Sequence, residues 1–125
     1  MTALVDTSVL IDTLRGDAAA TSLLLSCRRA GPVHASEITR AEVLCGMRPR
    51  ERRATESLLS TLTWHPLDAG LAELAGDLGR RWLPSHRGID TADLVIAATA
   101  VHLEVPLLTR NVKHFPMFPD LAAPY

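Results

Sequence analysis

Carboxylates are ordinarily scattered over solvated helix faces, but several in this chain sit at the ends of apolar segments. Asp6 directly follows Ala3-Leu4-Val5, Glu42 lies in the first turns of an apolar helix, and Asp90 and Asp93 open the most apolar stretch of the chain. Spaced i, i+3, Asp90 and Asp93 share one helix face and can point at one site. Asp90 also suits a helix cap, and an acid in a first turn suits the helix dipole, so cap and ligand both stay open for it. Asp93 differs, because within Ala92-Asp93-Leu94-Val95-Ile96 an unpaired carboxylate is costly unless a cation or a donor meets it.

Converging carboxylates cannot all stay ionised without compensation, and the usual partner is a hard divalent cation with oxygen ligands, Mg²⁺ or Mn²⁺. Such an ion polarises a phosphoryl group, lowers the pKa of a bound water and stabilises a leaving oxygen. No nucleophilic side chain is then needed. Nor does the chain carry a GxSxG elbow, a Walker loop, GxGxxG or HExxH, which leaves little besides acid-plus-metal chemistry.

Alternating strand and helix signals position these acids. Ala3 to Val5 predicts a short buried strand, and Thr7 or Ser8 caps a helix carrying Val9, Leu10, Ile11 and Leu14 that Gly16 stops. A helix over Ala18 to Arg29 follows, then a break at Gly31-Pro32 and a strand over Val33 to Ala35. Ser36 or Thr39 begins a helix through Leu44, ended by Gly46 and Pro49. Glu51 to Leu62 predicts a helix, Trp64 to Leu67 a strand, Ala69 to Leu83 a helix closed by Pro84, and Ser85 to Ile89 a loop. Thr91 to Glu104 is apolar over too broad a surface for an exposed helix and reads as a core helix. Val105 to Leu108 supplies the last strand. This order predicts an α/β sandwich with a mainly parallel sheet, in which ligands bind beyond the carboxyl ends of the strands, where Asp6 falls.

A length of 125 residues suits a single domain over 1–125. The formal net charge of -1 gives no general pull toward nucleic acid, so any such pull must be local. Lys113 is the one lysine among 13 basic residues; arginine suits bidentate phosphate contacts, and a GC-rich genome gives the same bias. Cys27 and Cys45 lack zinc spacing and read as reduced core residues. Asp6 and Asp12 interrupt any signal-peptide core, and no apolar stretch is long enough to span a bilayer, so the expected compartment is the cytoplasm, with no membrane association.

The segments Val5-Asp6-Thr7-Ser8-Val9-Leu10-Ile11-Asp12, Thr39 to Gly46, Asp93 to Ala100 and Leu108-Thr109-Arg110-Asn111-Val112-Lys113-His114-Phe115 resemble, in order and spacing, the motifs of the PIN-domain family. The resemblance covers nearly the whole chain. It implies a PIN-like three-layer α/β/α sandwich and an acidic cleft that holds Mg²⁺ or Mn²⁺ for RNA cleavage. It also implies Asp6 and Asp93 as principal metal ligands, Glu42 as a third acid and Ser8 as a polar neighbour of Asp6. Asn111 matches a position where relatives carry Asp or Asn; an amide there bonds a water or a phosphate but cannot act as a base. The compact length is similar to VapC toxins, which implies an RNA target whose cutting blocks translation, a VapB-like antitoxin filling the cleft, a toxin homodimer, and contact with DNA only through the antitoxin.

Arg87 and Arg110 are the candidate RNA-binding residues, Arg87 because it approaches Asp90 and Asp93 along the chain. The run from Arg48 to Arg53 reads as a solvated connection, and His114 as structural or surface. Trp64, Trp82, Phe115 and Phe118 read as packing residues, while Leu23, Leu24 and Leu25 suit either core or a dimer face. A phospho-accepting receiver domain fits poorly, since its acidic pair, mid-chain acceptor and late lysine are not found in that arrangement. A non-catalytic RNA- or protein-binding PIN-like module has little reason to keep a repulsive acidic cluster. A housekeeping RNA-processing nuclease shares the same chemistry.

Overall fold

In the computed structural model, which describes residues 2–125, strands and helices alternate as the sequence predicts. The order is β1 (Ala3–Val5), α1 (Thr7–Leu14), α2 (Ala18–Ala30), β2 (Val33–Ser36), α3 (Glu37–Cys45), α4 (Arg52–Leu59), β3 (Thr63–His65), α5 (Ala69–Trp82), α6 (Thr91–Leu103) and β4 (Leu107–Leu108). Short 3₁₀ turns occupy Pro49–Glu51 and Val112–His114. The four strands pair in the order β3-β2-β1-β4, every pair parallel.

Both faces of this sheet are covered, so its strands carry apolar side chains on both sides. Ala3, Val5, Val33 and Ala35 pack with α1, α2 and α4 through Val9, Leu10, Leu24, Cys27 and Leu59. Leu4 and Leu107 pack on the other side against Ile96, Ala97 and Ala100 of α6 and against Phe115. Helix α5 lies outside α6, with Leu71 and Ala75 against Leu94, Val95 and Ala98. Burial on two sides explains the broad apolar surface of α6, which is buried without a break from Asp93 to Ala100.

Prolines set the main departures from the expected boundaries. Strand β3 ends at His65 rather than Leu67 because Pro66 has no N–H to give a ladder. Strand β4 begins after Pro106, whose carbonyl still accepts from Leu4 N–H at 2.9 Å. Pro49 opens a 3₁₀ turn, and α4 stops at Leu59, whose carbonyl accepts from the Trp64 indole at 2.9 Å. Cys27 is buried as expected, but Cys45 is exposed. Helix α3 buries Thr39 and Val43, and a residue two places past Val43 turns to the opposite side. The leucines of α2 also divide, with Leu24 buried and Leu25 exposed.

Candidate active site

The carboxyl ends of β1 and β4 deliver the centre of the site. Asp6 leaves β1 with its N–H on Leu108 O at 2.9 Å and is only 3% exposed. It precedes α1 but makes no side-chain cap bond. Its Oδ2 instead accepts from the Thr109 hydroxyl at 2.7 Å and the Ser8 hydroxyl at 2.9 Å. Each hydroxyl is itself approached by a backbone donor, Asn111 N–H on Thr109 at 2.9 Å and Arg110 N–H on Ser8 at 3.2 Å. The turn after β4 is thereby tied to the Asp6 carboxylate.

Glu42 comes to the same cleft from the middle of α3. Its Oε1 accepts from the Thr7 hydroxyl at 2.6 Å, and Thr7 Oγ1 lies 3.1 Å from Thr39 Oγ1. Thr7 has one proton to give, so with Glu42 ionised the Thr39 hydroxyl supplies the second bond of the chain. Asp90 and Asp93 form a reciprocal capping box: Asp93 N–H donates to Asp90 Oδ1 at 2.8 Å and Asp90 N–H to Asp93 Oδ2 at 3.1 Å. Asp90 is therefore a helix cap, and it also lines the cleft. Burial, reinforced by the charges of Asp90 and Asp6, pushes Asp93 up to about 6, against the opposing pull of the Asp90 N–H and His114.

Asp6, Ser8, Glu42, Asp90, Asp93, Arg110 and Asn111 all line one cleft of about 450 Å³. Arg87 is exposed and does not line it. The larger groove between α5 and α6, about 720 Å³, is lined mainly by apolar and small residues such as Leu67, Ala75 and Leu94, without a carboxylate. The carboxylates therefore gather in the smaller, polar space. Its anionic donors are hard carboxylate oxygens, and Asp93 is raised first by burial and then by the neighbouring charges of Asp90 and Asp6, so in kind the set fits a hard divalent cation. As they stand, no three His, Cys, Asp or Glu groups among the described residues draw close enough together to hold an ion.

The structure adds residues that the sequence left aside. His114 lines the cleft with Nδ1 3.3 Å from Asp93 Oδ2; that nitrogen is buried and has no hydrogen-bond partner among the described residues. Asp12 stands at the cleft's edge, accepting from Tyr125 Oη at 2.6 Å. Thr7 and Thr109 serve the acids as donors, with Thr39 bonded to the Thr7 hydroxyl behind them. Of these, Thr109 had a readable signal, because it follows β4 just as Asp6 follows the adjacent strand β1. Phe115, 1% exposed, is a core residue, and Trp64, Trp82 and Phe118 pack partly buried against the apolar clusters, as expected.

Comparison with known proteins gives a consistent result. The PIN domain family matches residues 3–118. The chain is 46% identical over 123 residues to Ribonuclease VapC19 of Mycobacterium tuberculosis, covering 98% of each. It is 44% identical over 122 residues to Ribonuclease VapC10 of the same organism, covering 98% of this chain and 92% of the relative. Among solved structures, a chain of a toxin-antitoxin complex from Klebsiella pneumoniae superposes with a TM-score of 0.81 at 31% identity, over 98% of both chains. With this fold, this order of motifs and these relatives, the chain belongs to the PIN-domain family, in its VapC group.

Proposed function

We propose that this chain is the toxin of a type II toxin-antitoxin pair, an endoribonuclease that depends on Mg²⁺ or Mn²⁺ and is held in check by a VapB-like antitoxin. The observation that carries the reading is the meeting of Asp6, Glu42 and Asp93 in one cleft at the carboxyl ends of the strands. The names of the relatives and the toxin-antitoxin neighbour support the substrate class and the partner.

Asp6, Glu42 and Asp93 would hold the ion, with Asp90 beside them as the cap of α6. When bound, that ion supplies charge neutralisation at the phosphoryl group and a lowered pKa for water. The chain's own residues do the positioning. Thr109 and Ser8 hold Asp6 by Oδ2, and Thr7 holds Glu42, so both carboxylates meet substrate pre-oriented. Asn111 offers an amide to a phosphate oxygen or a water, and as an amide it takes no proton. Arg110 supplies positive charge at the cleft's edge. Acting in the cytoplasm as a homodimer, the protein would cut RNA and so stop translation, with DNA contacted only through the antitoxin.

The test is incubation of purified, antitoxin-free protein with total cellular RNA, with Mg²⁺ or Mn²⁺ and with EDTA, beside Asp93→Asn. Discrete fragments that need the ion and disappear in the variant are expected. Intact RNA at high protein concentration, or fragments that persist in Asp93→Asn, overturns the reading.

A further inference from the structure

At the edge of the acidic cleft three side chains from distant parts of the sequence form one unit. Tyr125 Oη donates to Asp12 Oδ2 at 2.6 Å. The Arg110 guanidinium lies 4.8 Å from the centre of the Tyr125 ring, and its Nη1 is 3.7 Å from that same Asp12 oxygen. Tyr125 itself packs partly buried against the core cluster of α1, α2 and β1, so the ring is an anchored surface. Arg110 has its backbone held as well, its N–H on the Ser8 hydroxyl that donates to Asp6. The Arg110 side chain nevertheless stays 44% exposed, and both Arg110 and Asp12 line the cleft.

A guanidinium held at its backbone and on one face, with donors still open, is the arrangement that takes a phosphate with little loss of side-chain freedom. Asp12 opposes this, because a carboxylate beside Arg110 competes with the incoming phosphate. At 3.7 Å and partly exposed, their pair is weak, and the Tyr125 hydroxyl already occupies the Asp12 oxygen nearest Arg110. Burial and the hydrogen bond to Asp12 hold the phenol above its ordinary range, so at neutral pH it is a donor.

We propose that Arg110 and Tyr125 form a subsite for an RNA phosphate next to the bond being cut. Tyr125 is its positioning residue and Asp12 the competing anion that Tyr125 restrains. This rests on the ribonuclease reading and adds to it the residues that seat the flanking backbone. Tyr125 acts twice, through its ring under Arg110 and through its hydroxyl on Asp12, and the two parts can be separated. Tyr125→Phe keeps the ring and releases Asp12 to pair fully with Arg110. Adding Asp12→Asn removes the competitor.

The experiment measures binding of a fluorescein-labelled single-stranded RNA of randomised sequence by anisotropy, on an Asp93→Asn background that does not cut, across a range of salt. Tyr125→Phe is expected to weaken binding about threefold to tenfold and to reduce the salt slope by about 0.7, the loss of one phosphate contact. Tyr125→Phe with Asp12→Asn is expected to return to or exceed the parent affinity. Tyr125→Ala should bind at least as weakly as Tyr125→Phe, and Asp12→Asn should not rescue it, because the ring is gone; its melting temperature shows whether it is folded. An unchanged affinity and slope in Tyr125→Phe, a failure of Asp12→Asn to rescue it, or an absence of RNA binding by the parent overturns the subsite. Cleavage by the parent with active Asp93 tests the ribonuclease reading separately: no cleavage with the binding order intact sinks that reading alone.

Discussion

A buried carboxylate keeps its charge only where donors meet it, and at Asp6 those donors are the hydroxyls of Thr109 and Ser8. Thr109 is fully buried, so Thr109→Val replaces a donor by a methyl of similar shape with no water to substitute for it. The variant should lose about 2 kcal/mol of stability in urea unfolding and cut RNA about tenfold more slowly, as expected for a lost bond to a charged group. Thr109→Ser should retain both properties; a Val variant equal to wild type in stability and rate would remove Thr109 from the site. Asp93 makes a second prediction at this scale. Held at about 6 by burial and by Asp90 and Asp6, it must shed a proton before it can ligate a cation below that pH. Affinity for Mn²⁺, measured by calorimetry, should therefore fall about tenfold between pH 7 and pH 5, and equal affinities at the two would contradict the assignment of Asp93 as a ligand.

The elements carry a strain that the sequence concealed. Helix α6 ends on Glu104 at φ 56° and ψ 44°, the left-handed conformation, and Glu104 is the only non-glycine at positive φ among the described residues. Glycine is usual there because a Cβ costs roughly 1 kcal/mol in that region. Glu104→Gly should raise stability by up to about 1 kcal/mol, read as a higher melting temperature with cleavage unchanged, because Glu104 is exposed and does not line the cleft. A lower melting temperature would show that Glu104 contributes a contact outweighing its backbone. The helices themselves were legible because α6 is apolar all round and the breaks at Gly31-Pro32 and Pro84 are local signals. Strand ends were less so, since β3 and β4 are cut short by prolines in a ladder that no single strand reveals. The acids at element ends could be read as a site in sequence. Ser8 was legible as a neighbour of Asp6 and Thr109 by its place after β4, but Thr7 and Thr39 were hidden, because threonine is equally a strand residue or a cap, and only the packing of α1 against α3 brings Thr7 to Glu42.

Across the whole molecule, a half-buried histidine pair and the buried Asp93 oppose each other in their response to pH. His34 Nδ1 and His65 Nε2 lie 2.7 Å apart, brought together by the parallel register of β2 and β3 and invisible in a sequence that separates them by a helix, a turn and another helix. Burial lowers both imidazoles below their ordinary 6.5, with the charges of His34 and His102 lowering His65 further. The unfolded chain then binds more protons below pH 6.5, so the stability the pair contributes is present above 6.5 and is lost as pH falls. Asp93 has the opposite sign. Its carboxyl sits at about 6 in the fold against 3.8 ordinarily, so its contribution is present below 3.8 and is lost as pH rises through about 6. The metal-free protein in EDTA should therefore show a shallow stability profile between pH 4 and 6.5, where the two slopes cancel in part. Asp93→Asn should expose the histidine slope, its stability rising with pH; His34→Gln with His65→Gln should expose the Asp93 slope, falling with pH. Urea unfolding at half-unit pH steps separates the three profiles. If both variants keep the wild-type shape, neither group differs in pKa between the folded and unfolded chain. If only the histidine variant does, the 2.7 Å contact carries no linkage and the buried Asp93 dominates the pH response in this range.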